Sequence, residues 1–489
     1  MNHRATLLPG RRVAGHVVPR IVILAVGLVS IALVGCRVSP DTEDAPPLPA
    51  ERPANILMIM IDDLGWTDLH IQGNELLETP VIDRLAADGM RFTDSYAAAP
   101  VCSPTRAAIM TGQSPARLAI TNHITGDQRQ FEPEGANLHA AEMSNHLALE
   151  YVTLAERLGE AGYANAFLGK WHISGINSEI ETVEPGRRPE HQGFDINIGG
   201  TSFGGPPSFF DPYRNPAIED RAEGEYLTDR LADETIAFIR EHREGPFFVA
   251  LWPYTVHWPM EAPQELIEKY EDRTGLVNTR YGAMIEAMDS AVGRILEALD
   301  TLDLADDTLV IFTSDNGAYG SVTDLAPLRG AKGHLYEGGI RVPLIIRWPG
   351  RVEPGTISDV PVISMDFFPT ILEAAGLEPE PGEPLDGESL MPLLRQDGSL
   401  QREAIFFHYP NYAFHGANRL GGAIRRGDYK LIEFYDDGSV ELYDLANDIG
   451  EQRDVSGQMP QRAAEMKAEL DRWLEASGAK MPTPVGSER

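Results

Sequence analysis

Asn55-Ile56-Leu57-Met58-Ile59-Met60-Ile61-Asp62-Asp63 is an almost wholly apolar run that ends abruptly in two acids. An apolar run without alternation suits a central parallel strand buried on both faces. In open α/β sheets ligands gather outside the carboxyl ends of such strands, which is where Asp62 and Asp63 fall. Similar runs recur at residues 90–96, 164–168, 246–252, 308–313 and 342–348, with helical signals between them. Thr79-Pro80 opens a helix that reaches about Gly89, and Thr153-Leu154-Ala155-Glu156 is a capping box for one that stops near Gly162. A helix over residues 226–242 follows. Met284, Met288, Val292, Ile295 and Leu299 form the core stripe of another, and residues 367–375 form a last one. The alternation predicts an α/β domain over residues 55–395, with a mostly parallel central sheet between helices. Beyond Gln401 the pattern changes to short strands at 404–409, 422–433 and 440–445, with Asp436-Asp437-Gly438 as a hairpin turn and a helix after Met459. A small antiparallel sheet with one helix is expected there, as a C-terminal α+β subdomain over residues 396–489.

Several stretches at strand ends carry reactive side chains. The longest is Pro100-Val101-Cys102-Ser103-Pro104-Thr105-Arg106-Ala107-Ala108-Ile109-Met110-Thr111-Gly112. Ser103 is placed to cap a helix whose first position is Pro104. Cys102 then lies just ahead of the helix, where free amides favour an anion, and Arg106 falls in the first turn. A cysteine in such a place is by itself usually a small buried hydrophobe. The strand at 164–168 delivers Gly169-Lys170-Trp171-His172, in which Lys170 and His172 share a face if the chain stays extended. The strand at 246–252 leads to Tyr254-Thr255-Val256-His257-Trp258-Pro259, and the strand at 308–313 ends in Ser314-Asp315-Asn316-Gly317. Asp315 and Asn316 thus bring oxygen donors to the sheet edge that holds Asp62 and Asp63, and hard oxygens suit Ca²⁺. A loop at 193–213, rich in Gly, Pro and Phe, is open to two readings, pocket wall or simple packing.

Cys102-x-Pro-x-Arg106 followed by Ala-Ala-x-x-Thr-Gly resembles the signature of the type I sulfatases, in the alkaline phosphatase superfamily. Gly169-Lys170-Trp171-His172 and the segment from Leu328 to Pro343 resemble later motifs of that family in the same order. The resemblance runs from about Pro53 to the end of the last helix. It implies that Cys102 is oxidised to formylglycine (3-oxoalanine) by a maturation enzyme, and that one hydroxyl of the hydrated aldehyde attacks sulfur while the other later drives sulfate out. It implies that Asp62, Asp63, Asp315, Asn316 and modified Cys102 bind Ca²⁺, with Asp315 a candidate proton acceptor. Arg106 and Lys170 would steady the modified residue, and Lys332 and His257 would neutralise the ester and leaving oxygens. His172 would take the second hydroxyl proton. Arg329 and His334 either contact substrate or support their loop. His408 and His415 either line a sugar pocket or pack within the small sheet. The loop at 204–208 and the stretches 406–412 and 421–425 look like those of bacterial polysaccharide sulfatases acting on galactose or N-acetylgalactosamine 4-sulfate. A sulfated carbohydrate is therefore the expected substrate. A phosphodiesterase or phosphonate hydrolase with the same shell is one alternative. A lipid-anchored glycan-binding protein without activity is another.

The first 35 residues are a separate matter. Arg4, Arg11, Arg12 and Arg20 precede an apolar run from Ile21 to Val34, too short to span a bilayer and shaped like an export signal. It ends Leu33-Val34-Gly35-Cys36, which resembles a bacterial lipobox. Cys36 would then carry lipid and hold an exported protein to a membrane, through a tether at residues 36–54. Cys36 and Cys102 are the only two cysteines, so no disulfide is expected. The formal charge of −33 becomes about −37 once the four leader arginines are gone. Such acidity argues against a nucleic-acid partner. It also repels a sulfated substrate at long range, so the site must build its own positive field.

Overall fold

The computed structural model describes residues 53–125, 128–175 and 187–486. The leader, Cys36 and most of the tether lie outside the described residues. Eight strands form the main sheet: β1 (Asn55–Ile61), β2 (Met90–Phe92), β3 (Ala164–Gly169), β4 (Ile196–Ile198), β5 (Phe247–Trp252), β6 (Thr308–Ser314), β7 (Leu344–Arg347) and β8 (Thr356–Ser358), in the order β8-β2-β7-β6-β1-β5-β3-β4. All seven residues of β1 are buried, and it runs parallel to both neighbours. Its side chains alternate between two cores. Leu57, Ile59 and Ile61 enter one, with the Met284-to-Leu299 stripe of the helix Thr279–Thr301. Ile56, Met58 and Met60 enter the other, with Phe367, Phe368, Ile371 and Leu372 of the helix Phe367–Ala374. Burial of both faces therefore forces a three-layer α/β/α arrangement.

The sheet is mostly parallel, as expected, except at β7, which runs antiparallel to β2 and β6. The expected strand at 90–96 divides, because Asp94 leaves the sheet to pair with Arg341 and Arg425, and Ser95–Tyr96 pairs separately with Val362–Ile363. The Thr153 capping box is present.

Four antiparallel strands follow: β9 (Ala404–Tyr409), β10 (Gly421–Arg426), β11 (Tyr429–Phe434) and β12 (Val440–Asp444), in that order. The single strand expected at 422–433 is in fact β10 and β11, folded back at Gly427 with φ of 56°, a conformation that glycine adopts without a Cβ clash. One face of this sheet, with Ile424, Leu431 and Leu442, receives the helix Pro460–Ser477. The other face, with Phe407, Tyr409, Ala423 and Ile432, packs on Tyr96, Val101 and Ala108 of the large sheet's loops and helix. A buried ionic cluster crosses the same boundary. Lys430 contacts Glu337 and Glu451, each at 2.9 Å, and Arg341 contacts Glu337 at 2.8 Å. Among the described residues, no helix is long and apolar enough to cross a membrane.

Candidate active site

The register of β1 against β6 builds the centre of the site. Ile61 pairs with Ser314, so the next residues of both strands emerge together. The Asp63 amide donates to Asp315 Oδ1 at 3.1 Å, and Asp63 holds a φ of 61° that turns it out of line with the strand. Carboxylate oxygens of Asp62, Asp63 and Asp315 lie within 4.8 Å of one another, all buried. Asn316 Nδ2 donates to Asp63 Oδ1 at 2.7 Å, while Asn316 Oδ1 is buried and accepts no hydrogen bond. An orphaned amide oxygen beside three crowded carboxylates is a donor set that fits a hard divalent cation. Burial pushes Asp62 up to about 8 despite the two contacts, 2.8 and 2.9 Å, that Lys170 Nζ makes with its oxygens. Three carboxylates in so small a dry space repel one another unless a cation joins them.

Each carboxylate already has one cation of the chain. Lys170 lies on Asp62, Lys332 Nζ on Asp63 Oδ1 at 2.6 Å, and Arg106 on Asp315 Oδ2 through Nε at 3.0 Å and Nη2 at 2.5 Å. Burial opposes charge on Lys332, and Asp63 outweighs it, so the ammonium is held well above its usual range. Arg106 and Lys170 likewise hold Asp315 below its usual range against burial. With Asp62 holding its proton the six groups carry a single net positive charge, and a divalent cation that displaced that proton would raise it.

Cys102 is the first residue of the helix Cys102–Thr111, not the residue before it, and Val101 is its N-cap. Ser103 is therefore no cap. Its hydroxyl donates to His172 O at 2.9 Å and accepts the Ile124 amide at 3.1 Å, tying three segments together. The whole helix is buried, which fixes Cys102 and Arg106 one turn apart. Arg106 Nη1 also donates to Lys170 O at 2.5 Å.

Lys170 and His172 reach the site by a bend, not by an extended chain, because His172 has φ of 57°. Its Nε2 donates to Ile124 O at 3.1 Å, which leaves Nδ1 as the acceptor facing Cys102 Sγ at 3.3 Å. Burial, then Lys170 and Arg106, hold the ring well below its usual pKa and neutral. His257 donates from Nδ1 to Trp258 O at 2.8 Å and turns Nε2 toward Asp63 Oδ2 at 3.7 Å. Burial and Lys170 lower it to about 3, against the pull of Asp63. The loop that was open to two readings divides between them. A Cβ on Gly204 would lie 3.0 Å from His172 Nε2 and one on Gly205 2.8 Å from His257 Nδ1, so these glycines line the site. Phe209 and Tyr213 are core.

The remaining candidates separate. Arg329 stacks over Tyr336 at 3.9 Å and donates to Tyr443 Oη and Glu451 O, and His334 bonds Ala331 O and Gly416 O through its two nitrogens. Both side chains brace loops. His408 is buried in the small sheet, with Tyr435 Oη and Lys480 O on its two nitrogens. His415 is brought to the site, with its ring against Gly333, next to Lys332. Two groups were missed by sequence reasoning. His123, 5% exposed, feels the charges of Lys332, His415 and Lys170. It lies in an irregular stretch that no periodicity marks. Tyr281 donates to buried Asp68 at 2.6 Å and sits 3.2 Å from Asp63 O, bracing the Asp63 backbone from a helix assigned only to the core.

The fold is thus α/β with a mostly parallel sheet, and the carboxylates gathered at its strand ends form a buried group that could hold a cation. Residues 54–377 match the family model described as sulfatase, and residues 331–479 match the one described as N-sulphoglucosamine sulphohydrolase, C-terminal. The chain is 32% identical to the steryl-sulfatase of Mus musculus, over 95% of this chain and 88% of that protein. It is 30% identical to a sulfatase of Formosa agariphila, over 94% and 93%. The crystal structure of Ps i-CgsB in complex with k-i-k-neocarrahexaose matches with a TM-score of 0.74 and 28% identity, over 86% of this chain and 93% of that one. The chain belongs to the sulfatase family and is a sulfuric ester hydrolase.

Proposed function

We propose that this sulfatase removes sulfate from a sugar of a sulfated glycan, with Cys102 converted to formylglycine and Ca²⁺ held by Asp62, Asp63, Asp315 and Asn316. The observation that carries the reading is the meeting of four oxygen donors from two strand ends with the helix that begins at Cys102. When bound, the cation supplies Lewis-acid polarisation of a sulfate oxygen, and the modified residue supplies the nucleophilic hydroxyl. Arg106 orients residue 102 from one helical turn away, itself locked by Asp315 and Lys170 O. His172 accepts a proton at Nδ1 from residue 102, because Ile124 O holds the other proton at Nε2. Lys332 presents its ammonium group to the sulfate oxygens, Lys170 steadies residue 102 together with Arg106, and His257 would neutralise the leaving oxygen from Nε2 once protonated there. The carbohydrate reading is supported by the solved relative bound to k-i-k-neocarrahexaose. The leader ending at Cys36 supports export and a lipid anchor.

Peptide mass spectrometry of active enzyme, together with sulfate release from a panel of sulfated galactose and N-acetylgalactosamine oligosaccharides, tests the reading. Expected are a converted Cys102, release from at least one oligosaccharide, and loss of release in Cys102→Ala. Full activity with an unmodified thiol, or turnover of aryl sulfates alone, refutes it. Phosphate release in parallel separates the phosphonate hydrolase alternative. Fatty-acid labelling of wild type that persists in Cys36→Ala would refute the anchor.

A further inference from the structure

Eight large hydrophobic side chains stand exposed among the described residues, and the two aromatic ones are Trp258 and Phe414. Each is the chain neighbour of a site histidine, His257 and His415. Scattered exposed aliphatics need no explanation, but an exposed aromatic beside a histidine of a charged site does. Phe414 is 53% exposed, and four rings pack around its buried part. His415 lies 4.1 Å from it centroid to centroid, His123 5.1 Å, Phe131 6.1 Å and Tyr319 6.4 Å.

The supports of this cluster are continuous with the machinery below. Tyr319 follows Asp315 and Asn316 by a few residues. The His415 ring presses on Gly333, where a Cβ would fall 2.4 Å away, and Asn418 Nδ2 donates to Gly333 O at 3.0 Å, so the 414–418 loop is pinned beside Lys332. The Gly333 amide in turn donates to Pro100 O at 2.8 Å, in the stretch that leads to Cys102. A cluster of rings thus stands next to the buried ions of the site.

Resting on the reading above, we propose that Phe414 is the platform on which the pyranose carrying the sulfate lies, its C–H face against the ring, with His415, Tyr319, His123 and Phe131 holding the platform flat. A sugar has an apolar C–H face that a rigid aromatic surface complements at low entropic cost. The buried ions recognise only the sulfate group, so the ring cluster is what distinguishes a glycan sulfate from a bare sulfate ester.

The test is equilibrium binding by calorimetry to full-length protein carrying Cys102→Ala, with sulfated galactose and N-acetylgalactosamine oligosaccharides and inorganic sulfate as probes. Phe414→Ala is expected to weaken oligosaccharide binding about tenfold, equivalent to ~1.4 kcal/mol, and to leave inorganic sulfate unchanged. Phe414→Trp is expected to retain binding. Unchanged oligosaccharide affinity in Phe414→Ala, equal weakening of inorganic sulfate, or no oligosaccharide binding to the Phe414 protein at millimolar concentration would each overturn the proposal. Binding that depends on Phe414 without sulfate release by the wild-type enzyme would overturn the catalytic reading and leave the platform standing.

Discussion

If the proposed calcium binds at the three carboxylates, removing it should destabilise the folded protein by a measurable amount. Asp62, Asp63 and Asp315 are buried within 4.8 Å of one another, each beside one cation of the chain, and burial keeps on Asp62 a proton that a divalent ion would displace. A divalent ion joining them binds the native state and not the unfolded chain, in which strands 250 residues apart no longer meet. With ~1 mM free calcium and a dissociation constant of ~1 µM, linkage adds about 4 kcal/mol. The unfolding entropy of a body of this size is roughly 0.9 kcal/mol per kelvin, so the midpoint should rise by about 4–5 °C between chelator and calcium. Differential scanning calorimetry in EDTA and in calcium measures it, without reference to activity. Asp63→Asn and Asn316→Ala should each shrink the shift. A midpoint indifferent to chelation, or a shift that survives both substitutions, would refute the assignment of the four donors.

Lys332→Met leaves Asp63 without the partner it contacts at 2.6 Å, both side chains being 3% exposed. In calcium-free buffer it should cost about 3–5 kcal/mol by urea unfolding, and clearly less in calcium, where the carboxylate has another counter-ion. Ser103→Ala breaks the bridge from His172 O to the Ile124 amide. It should lower stability by about 2 kcal/mol and reduce kcat more than it raises KM, since the ring facing Cys102 loses its anchor. Glu451, which shares Lys430 with Glu337, is pushed by burial up to about 7 from 4.5. The folded state therefore holds a proton that the unfolded state has lost between those values, and the contribution of this group to stability should be fully present below pH 4.5 and fall by up to about 3 kcal/mol as pH rises through 7. Glu451→Gln, neutral throughout, should flatten that slope when melting temperature is followed from pH 4.5 to 7.5. An unchanged slope would mean that the proton resides elsewhere in the cluster.

Much of the architecture was legible before any coordinates. The uniformly buried β1, the capping box at Thr153 and the stripe from Met284 to Leu299 each follow from neighbours in the chain, through side-chain period and local hydrogen bonds. The same holds for the residues that end the strands, Asp62, Asp63, Asp315 and Asn316, because a strand's apolar run locates its own terminus. Ser103 shows where local reasoning stops. Its type and place suit a cap, yet its hydroxyl is claimed by His172 and Ile124, which come from 69 and 21 residues away. His123 likewise sits in a stretch with no signal of its own, and Tyr281 lies on a helix whose period marks only its core stripe.

The positions of the strand-end acids and of Cys102 at the start of a helix were thus legible along the chain. How those groups act on one another was decided by the register of two strands and by the docking of the small sheet, which cannot be summed from local preferences. That docking places His415 against Gly333, next to Lys332, with Phe414 on its ring, and the register sets each cation of the site beside a carboxylate. Contacts between distant segments form only once the whole core has excluded water, and for that reason they belong to the tertiary structure alone.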